Sequence, residues 1–193
     1  MQEQKERGVD IALVHHPVLG KKGEIIGSAV TNLDLHDIAR IARTYGVDEY
    51  YIVTPYADQQ ELVKEILEHW QKGHGSTYNP ARKEAFSLVR LAHSLEEVIE
   101  GIARKRQLKP MLVTTSAGTQ EKCISYTESR KRIDNGEPTL LVFGTAHGLA
   151  PEVSAKADYT LPAIAGRTGY NHLPVRSAVA IICDRLLSDE NDK

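Results

Sequence analysis

The sequence predicts an α/β protein, a single three-layer domain over residues 1–193 with a mostly parallel sheet. Three observations carry that reading. Strand-like and helix-like segments alternate along the whole chain, the pattern of parallel strands joined by crossover helices. The strand-like runs are short, apolar and rich in β-branched residues, as Val9 to Val14 (VDIALV) illustrates. Two glycine-opened stretches, Gly144 to Leu149 and Gly166 to Leu173, follow the last two strand-like runs. At the ends of strands, such loops offer backbone donors and acceptors to a small ligand.

Taken in order, Val9 to Val14 is the first strand. Leu33 to Tyr45 is a helix with Leu35, Ile38, Ala39 and Ala42 on one face, and Gly46 is its natural stop. Tyr50 to Val53 is the second strand, followed by a helix over Glu61 to Gln71 that aligns Leu62, Ile66 and Trp70. Gly73 to Pro80 is a loop by composition. Ala85 to Leu91 continues the strands, and Leu95 to Arg106 is a helix carrying Leu95, Val98, Ile99 and Ile102 on one side. Met111 to Thr115, Thr139 to Phe143 and Tyr159 to Leu161 complete the strand series. An amphipathic helix from about Leu173 to Leu187 closes the chain, with Val175, Val179, Ile182 and Leu186 on one stripe. No internal repeat, low-complexity tract or domain linker interrupts the pattern.

With 41% hydrophobic and 26% charged residues, the composition is that of an ordinary globular protein. The 24 basic and 26 acidic side chains leave a net charge of −2, which argues against a surface that binds nucleic acid all over. Local basic groups remain at Arg82-Lys83, at Arg104-Lys105-Arg106 with Lys109, and at Arg130-Lys131-Arg132, although such clusters are often only a solvated face. No apolar run of about 18 residues exists to span a membrane. Met1 to Arg7 is polar and mixed in charge, unlike a secretory leader, so the cytoplasm is the expected compartment. Cys123 and Cys183 form neither a metal-ligand spacing nor a disulfide framework, and Cys183 falls on the apolar side of the last helix.

Several common chemistries are excluded. Gly20-Lys21-Lys22-Gly23 lacks the spacing and ending of a phosphate loop, the Gly144 loop reads G-x-x-x-G and is no dinucleotide fingerprint, and G-x-S-x-G is absent. Of the eight histidines, His15 and His16 are adjacent and would point to opposite faces of a strand, so no metal is expected. His147 and His172 sit in the glycine-opened segments and suit a binding loop better. Thr31 to Arg40 gathers polar groups near a helix start, with Asp37 and Arg40 three apart and His36 and Arg40 four apart. On the spacing alone, an exposed ion pair is the favoured account.

Three segments in order carry a resemblance over nearly the whole chain: Thr31-Asn32-Leu33 with His36 to Arg40 and Tyr45-Gly46-Val47; Phe143-Gly144-Thr145 with Gly148-Leu149; and Tyr170 to Leu173 with Val175 to Ala178. Together they resemble the SPOUT superfamily of knotted methyltransferases, and within it a small bacterial group of S-adenosylmethionine-dependent RNA methyltransferases. The resemblance implies a C-terminal trefoil knot, a homodimer with the active site completed across its interface, S-adenosylmethionine as cofactor, and RNA (tRNA or rRNA) as substrate. It implies a cofactor slot of Thr115, Phe143, Gly144, Thr145, Gly148, Leu149, Leu161, Ala163, Ile164 and Gly166, closed by Tyr170, Asn171, His172 and Leu173. Small side chains and free backbone groups at these positions suit an adenosine.

By the same resemblance Arg40 faces the substrate; Asn32, His36 and Asp37, close to it on the same helix, are assigned with it as candidate catalytic residues. A guanidinium stays protonated, so Arg40 is assigned to orienting a phosphate or the acceptor, and Asp37 or His36 to any proton transfer. The glycine loop departs from the pattern. It lacks the glutamate common in the ribose-methylating branch, and Ala146 and His147 stand where close relatives carry a glycine and an aromatic. Ribose oxygen and base nitrogen therefore both remain open as acceptors. A methyltransferase acting on a protein or small molecule, and a catalytically silent cofactor- or RNA-binding dimer, are the competing readings.

Overall fold

The computed structural model describes residues 8–116 and 122–189; the polar Met1 to Arg7 segment lies outside them. The elements are β1 (Val9–Val14), β2 (Val18–Leu19), β3 (Ile25–Ile26), α1 (Asn32–Thr44), β4 (Glu49–Val53), α2 (Ala57–Gln71), α3 (Gly75–Tyr78) and α4 (Pro80–Phe86). They continue as β5 (Val89–Ala92), α5 (Leu95–Arg106), β6 (Met111–Thr115), α6 (Tyr126–Asp134), β7 (Thr139–Gly144), α7 (Pro151–Ala155), β8 (Tyr159–Leu161) and α8 (Val175–Leu187). Six strands form one sheet in the order β5-β4-β1-β7-β6-β8, and every pairing in it is parallel.

Strand β1 lies between β4 and β7, and all six of its residues are buried. Its alternation divides the core into two layers. Val9, Ile11 and Leu13 pack with residues of α1, α2, α4, α6 and α8, whereas Ala12 and Val14 pack with residues of α5 and α7. Helices thus cover both faces, as a parallel sheet requires.

Helix α1 has chemically defined ends. The Thr31 hydroxyl accepts from the Asp34 N–H at 3.1 Å, capping the start. At the other end Gly46 takes φ +71°, the Gly46 N–H donates to the Arg43 carbonyl, and the Val47 N–H donates to the Ala42 carbonyl at 2.9 Å. That is a Schellman closure, and it turns the chain directly into β4.

Four features differ from the sequence reading by more than one residue. Ala85 and Phe86 end helix α4, and the strand starts only at Val89. Asn79 caps α4 by accepting from the Arg82 N–H at 3.0 Å and Pro80 opens it, so a local start signal outweighed a short apolar run. Helix α2 begins at Ala57, four residues before Glu61. A single helical turn, α3, occupies the Gly73 to Pro80 loop, and Pro174 holds the start of α8 at Val175. The β2–β3 hairpin, α6 and α7 are additional elements. Helix α6 (YTESRKRID) buries only Ser129 and Ile133, too few apolar positions to produce a periodic signal.

Candidate active site

A cavity of about 880 Å³ opens beyond the carboxyl ends of β6 and β7. One wall is Phe143 to Leu149, a second is Ser28, Ala29, Thr31 and Asp34, and a third is Thr115 and Ser116. Pro162, Ile164 and the run Asn171 to Arg176 close it, with Ala178 and Ile182 of α8 behind. This is where an open α/β sheet binds ligands, and the volume suits a nucleoside-sized molecule.

The glycine loop is clamped from below by the β2–β3 hairpin. The Leu19 N–H donates to the Gly148 carbonyl at 2.8 Å, the His147 N–H to the Leu19 carbonyl at 3.1 Å, and the Ala150 N–H to the Pro17 carbonyl at 3.3 Å. Gly148 has φ +109°, and Ala146 takes the left-handed value of 52°. A residue with a Cβ pays roughly 1 kcal/mol for that conformation, so the loop stores strain where glycine would relax it. Gly144 is required by space: a Cβ there would lie 2.7 Å from the Leu149 backbone nitrogen and 3.0 Å from the Gly148 carbonyl carbon. Gly144→Ala is therefore expected to displace the loop, lowering stability by about 1–3 kcal/mol and cofactor affinity at least about tenfold. Urea unfolding and calorimetry would check both; wild-type affinity in this variant would mean that the loop does not hold the ligand.

Helix α1 contributes its first turn. The Thr31 hydroxyl donates to the Asp34 carboxylate at 2.7 Å, and Arg176 from α8 reaches Asp34 at 3.4 Å and Asp37 at 3.3 Å. Thr31, Asp34 and Arg176 line the cavity and are additions to the sequence-derived site. The T-x-x-D spacing of a capping residue was the signal for the first two; Arg176 meets them only through the tertiary contact.

Among the residues assigned to the cofactor slot, Thr115, Phe143, Gly144, Thr145, Gly148, Leu149, Ile164, Asn171, His172 and Leu173 line the cavity. Leu161, Ala163, Gly166 and Tyr170 do not. Leu161 is buried in the core, and Tyr170 is 71% exposed, edge-on to His172 at 5.4 Å. None of the four assigned catalytic residues lines the cavity of this chain. Asn32 and Arg40 are exposed, and Asp37 is engaged by Arg176 rather than by Arg40. His36 packs edge-on against Phe86 at 4.7 Å and Trp70 at 5.3 Å, and partial burial, followed by the nearby Arg82 charge, lowers its pKa. The polar convergence expected within α1 is thus a convergence of α1 with α8.

The basic clusters are largely occupied internally. Arg106 is paired with Asp10 and Asp48, and Lys105 faces Glu49. Arg132 pairs with Glu128 and Glu137 and lies over the Tyr159 ring, Arg130 pairs with Asp134, and Arg82 lies over Trp70 at 4.5 Å. Among the described residues no group of three His, Cys, Asp or Glu side chains could hold a metal ion, and no helix is long and apolar enough to cross a membrane.

Residues 8–188 match the model of a family described as SAM-dependent RNA methyltransferase. An uncharacterized protein of Aquifex aeolicus is 45% identical over 181 residues, covering 93% of this chain and 88% of its own. A tRNA (guanine-N(1)-)-methyltransferase of Oleidesulfovibrio alaskensis is 43% identical over 189 residues, which is 97% of this chain but 44% of that protein. The chain therefore spans less than half the length of that relative. In three dimensions it is similar to the SpoU methyltransferase AviRb from Streptomyces viridochromogenes in complex with AdoMet. That match has a TM-score of 0.59 at 18% identity and covers 95% of this chain and 60% of the other. At that identity the likeness shows the fold.

Proposed function

We propose, from the premise that this chain belongs to the SAM-dependent RNA methyltransferase family, that it methylates a nucleotide of tRNA or rRNA in the cytoplasm, acting as a homodimer. The observation that carries the reading is the cavity itself, where the Gly144–Leu149 loop, the Asn171–Leu173 run and the first turn of α1 meet. Its glycines admit a ligand close to the backbone, and Phe143, Leu149 and Ile164 give it apolar walls, which fits an adenosine and a methionine tail. S-adenosylmethionine, when bound, supplies an electrophilic methyl on a sulfonium. The protein's task is then alignment: Thr115, Phe143 to Leu149, Ile164 and Asn171 to Leu173 hold the donor, and the α1 side receives the acceptor.

Arg40 is exposed and lies outside its own chain's cavity, so its proposed role in orienting substrate is exercised at the site of a second copy. Support for that arrangement comes from α1 and α8, which pack side by side and join through Arg176, with Leu33 and Leu173 exposed beside them. We place the trefoil knot in the C-terminal segment, where the chain passes from edge strand β8 through Asn171–Leu173 to α8 and returns to pack on α1. Residues 1–193 are read as one domain. The guanine-N(1) label belongs to a relative more than twice as long, and it is not carried over to this chain.

The test is transfer of labelled methyl from S-adenosylmethionine to purified tRNA and rRNA, with nucleoside mass spectrometry of RNA from cells with and without the gene. One methylated nucleoside lost with the gene is the expected result. Label appearing in protein or small molecules, and in neither RNA, would overturn the substrate class.

A further inference from the structure

His15, the residue after β1, is completely buried and has no part in the site described so far. Its N–H donates to the Val53 carbonyl at 2.9 Å, and its carbonyl accepts from the Ser28 N–H at 2.8 Å. The ring then begins a chain of short contacts. His15 Nδ1 lies 3.1 Å from Ser28 Oγ, Ser28 Oγ lies 2.5 Å from Thr145 Oγ1, and the Thr145 hydroxyl lies 3.0 Å from the Val14 carbonyl.

Proton counting fixes the direction of this chain. A carbonyl only accepts, so the single Thr145 proton goes to Val14, and Thr145 must accept from Ser28. The single Ser28 proton has three acceptors in reach, Thr145 Oγ1 at 2.5 Å, an unprotonated His15 Nδ1 at 3.1 Å and the His15 carbonyl at 3.5 Å; Thr145 has no proton left for the shortest contact, so Ser28 supplies it. Ser28 Oγ is then left to accept from the ring, which places the imidazole proton on Nδ1. His15 Nε2 is then the unprotonated nitrogen, buried and without a hydrogen-bond partner among the described residues. That is an unfavourable arrangement, and an apolar residue of similar size would avoid it.

We propose that His15 is a positioning residue of the cavity: through Ser28 it holds the Thr145 hydroxyl and so seats the Gly144–Leu149 loop against the end of β1. Ser28 and Thr145 both line the cavity, so the chain runs from the core to the ligand surface. Burial lowers the His15 pKa to about 4 against the opposing Asp34 charge, which keeps the ring neutral and in the one-proton form that this arrangement needs. The inference rests on reading the cavity as the S-adenosylmethionine site.

Calorimetric titration with S-adenosylmethionine separates the two claims. An asparagine presents its amide N–H near the place of Nδ1, a glutamine presents it near Nε2, and a leucine presents none. His15→Leu and His15→Gln are expected to weaken binding about tenfold or more, and His15→Asn to stay within about threefold of wild type. Ser28→Ala should lose as much as His15→Leu, with the double variant no worse than either single one. Thermal unfolding confirms that each variant is folded; if His15→Leu is not, Ser28→Ala and the Asn/Gln contrast decide. Wild-type affinity in His15→Leu or Ser28→Ala, or equal loss in the Asn and Gln variants, overturns the role of His15. No binding by the wild-type protein would instead overturn the reading of the cavity on which that role rests.

Discussion

Replacing Arg40 with alanine is expected to lower methyl incorporation into RNA by roughly 10²- to 10³-fold while leaving S-adenosylmethionine affinity within about twofold. The two effects separate because Arg40 does not line the cavity of its own chain, whereas the loops that do are untouched. Its side chain is exposed on α1, so the substitution removes little packing, and stability should change by less than about 0.5 kcal/mol. A protonated guanidinium stabilises negative charge and aligns a phosphate or an acceptor oxygen. Arg40→Lys keeps the charge but loses the planar fork, and its rate should fall between wild type and Arg40→Ala. Single-turnover methyl transfer, with calorimetry on the same samples, measures both quantities. Unchanged transfer in Arg40→Ala would remove it from the substrate side, and a parallel loss of cofactor affinity would place it in the donor site instead.

That separation could be foreseen only in part from the residues. The glycine loop was legible because Gly144 and Gly148 follow a strand and precede a helix start, and the structure gives each a steric or conformational reason. Helix α1 was legible from its apolar face and Gly46. What sequence could not supply was the partner of each polar group. Asp37 stands three residues from Arg40, yet Arg176, 139 positions later, takes its carboxylate because α8 lies against α1. His36 stands four residues from Arg40, and its spacing does not reveal that its ring packs against those of Trp70 and Phe86. His15 was dismissed as one of an adjacent pair of histidines, since its contacts with Ser28 and, beyond it, Thr145 depend on the hairpin that returns the chain to β1. Charge runs misled for the same reason: spacing records that Arg104, Lys105 and Arg106 are together, but not that Arg106 turns inward.

Arg106→Ala is expected to lower stability by about 3–5 kcal/mol. The guanidinium sits 3.0 Å from Asp10 and 2.8 Å from Asp48, and Asp10 is 1% exposed. Asp48 also accepts from the Gly8 N–H, so the cluster ties the end of α5 to the starts of β1 and β4. Removing the cation leaves two adjacent carboxylates with their shared counter-charge gone. Even with Arg106 present, burial raises the Asp10 pKa to about 7, and the Arg106 charge is the largest influence in the other direction. The sign of the pH dependence follows. Because the folded pKa lies above the unfolded one, the stabilising contribution of Asp10 is complete below about pH 4 and is lost as pH rises through 7. Without Arg106 the folded carboxyl should hold its proton to still higher pH, so the penalty in Arg106→Ala should be larger at pH 8 than at pH 5. Urea unfolding of both proteins at the two pH values measures this, and a penalty that does not vary with pH would mean that Asp10 does not titrate there. The cluster lies at the amino ends of the strands and the cavity beyond their carboxyl ends, so whatever fraction of Arg106→Ala remains folded should bind S-adenosylmethionine with wild-type affinity.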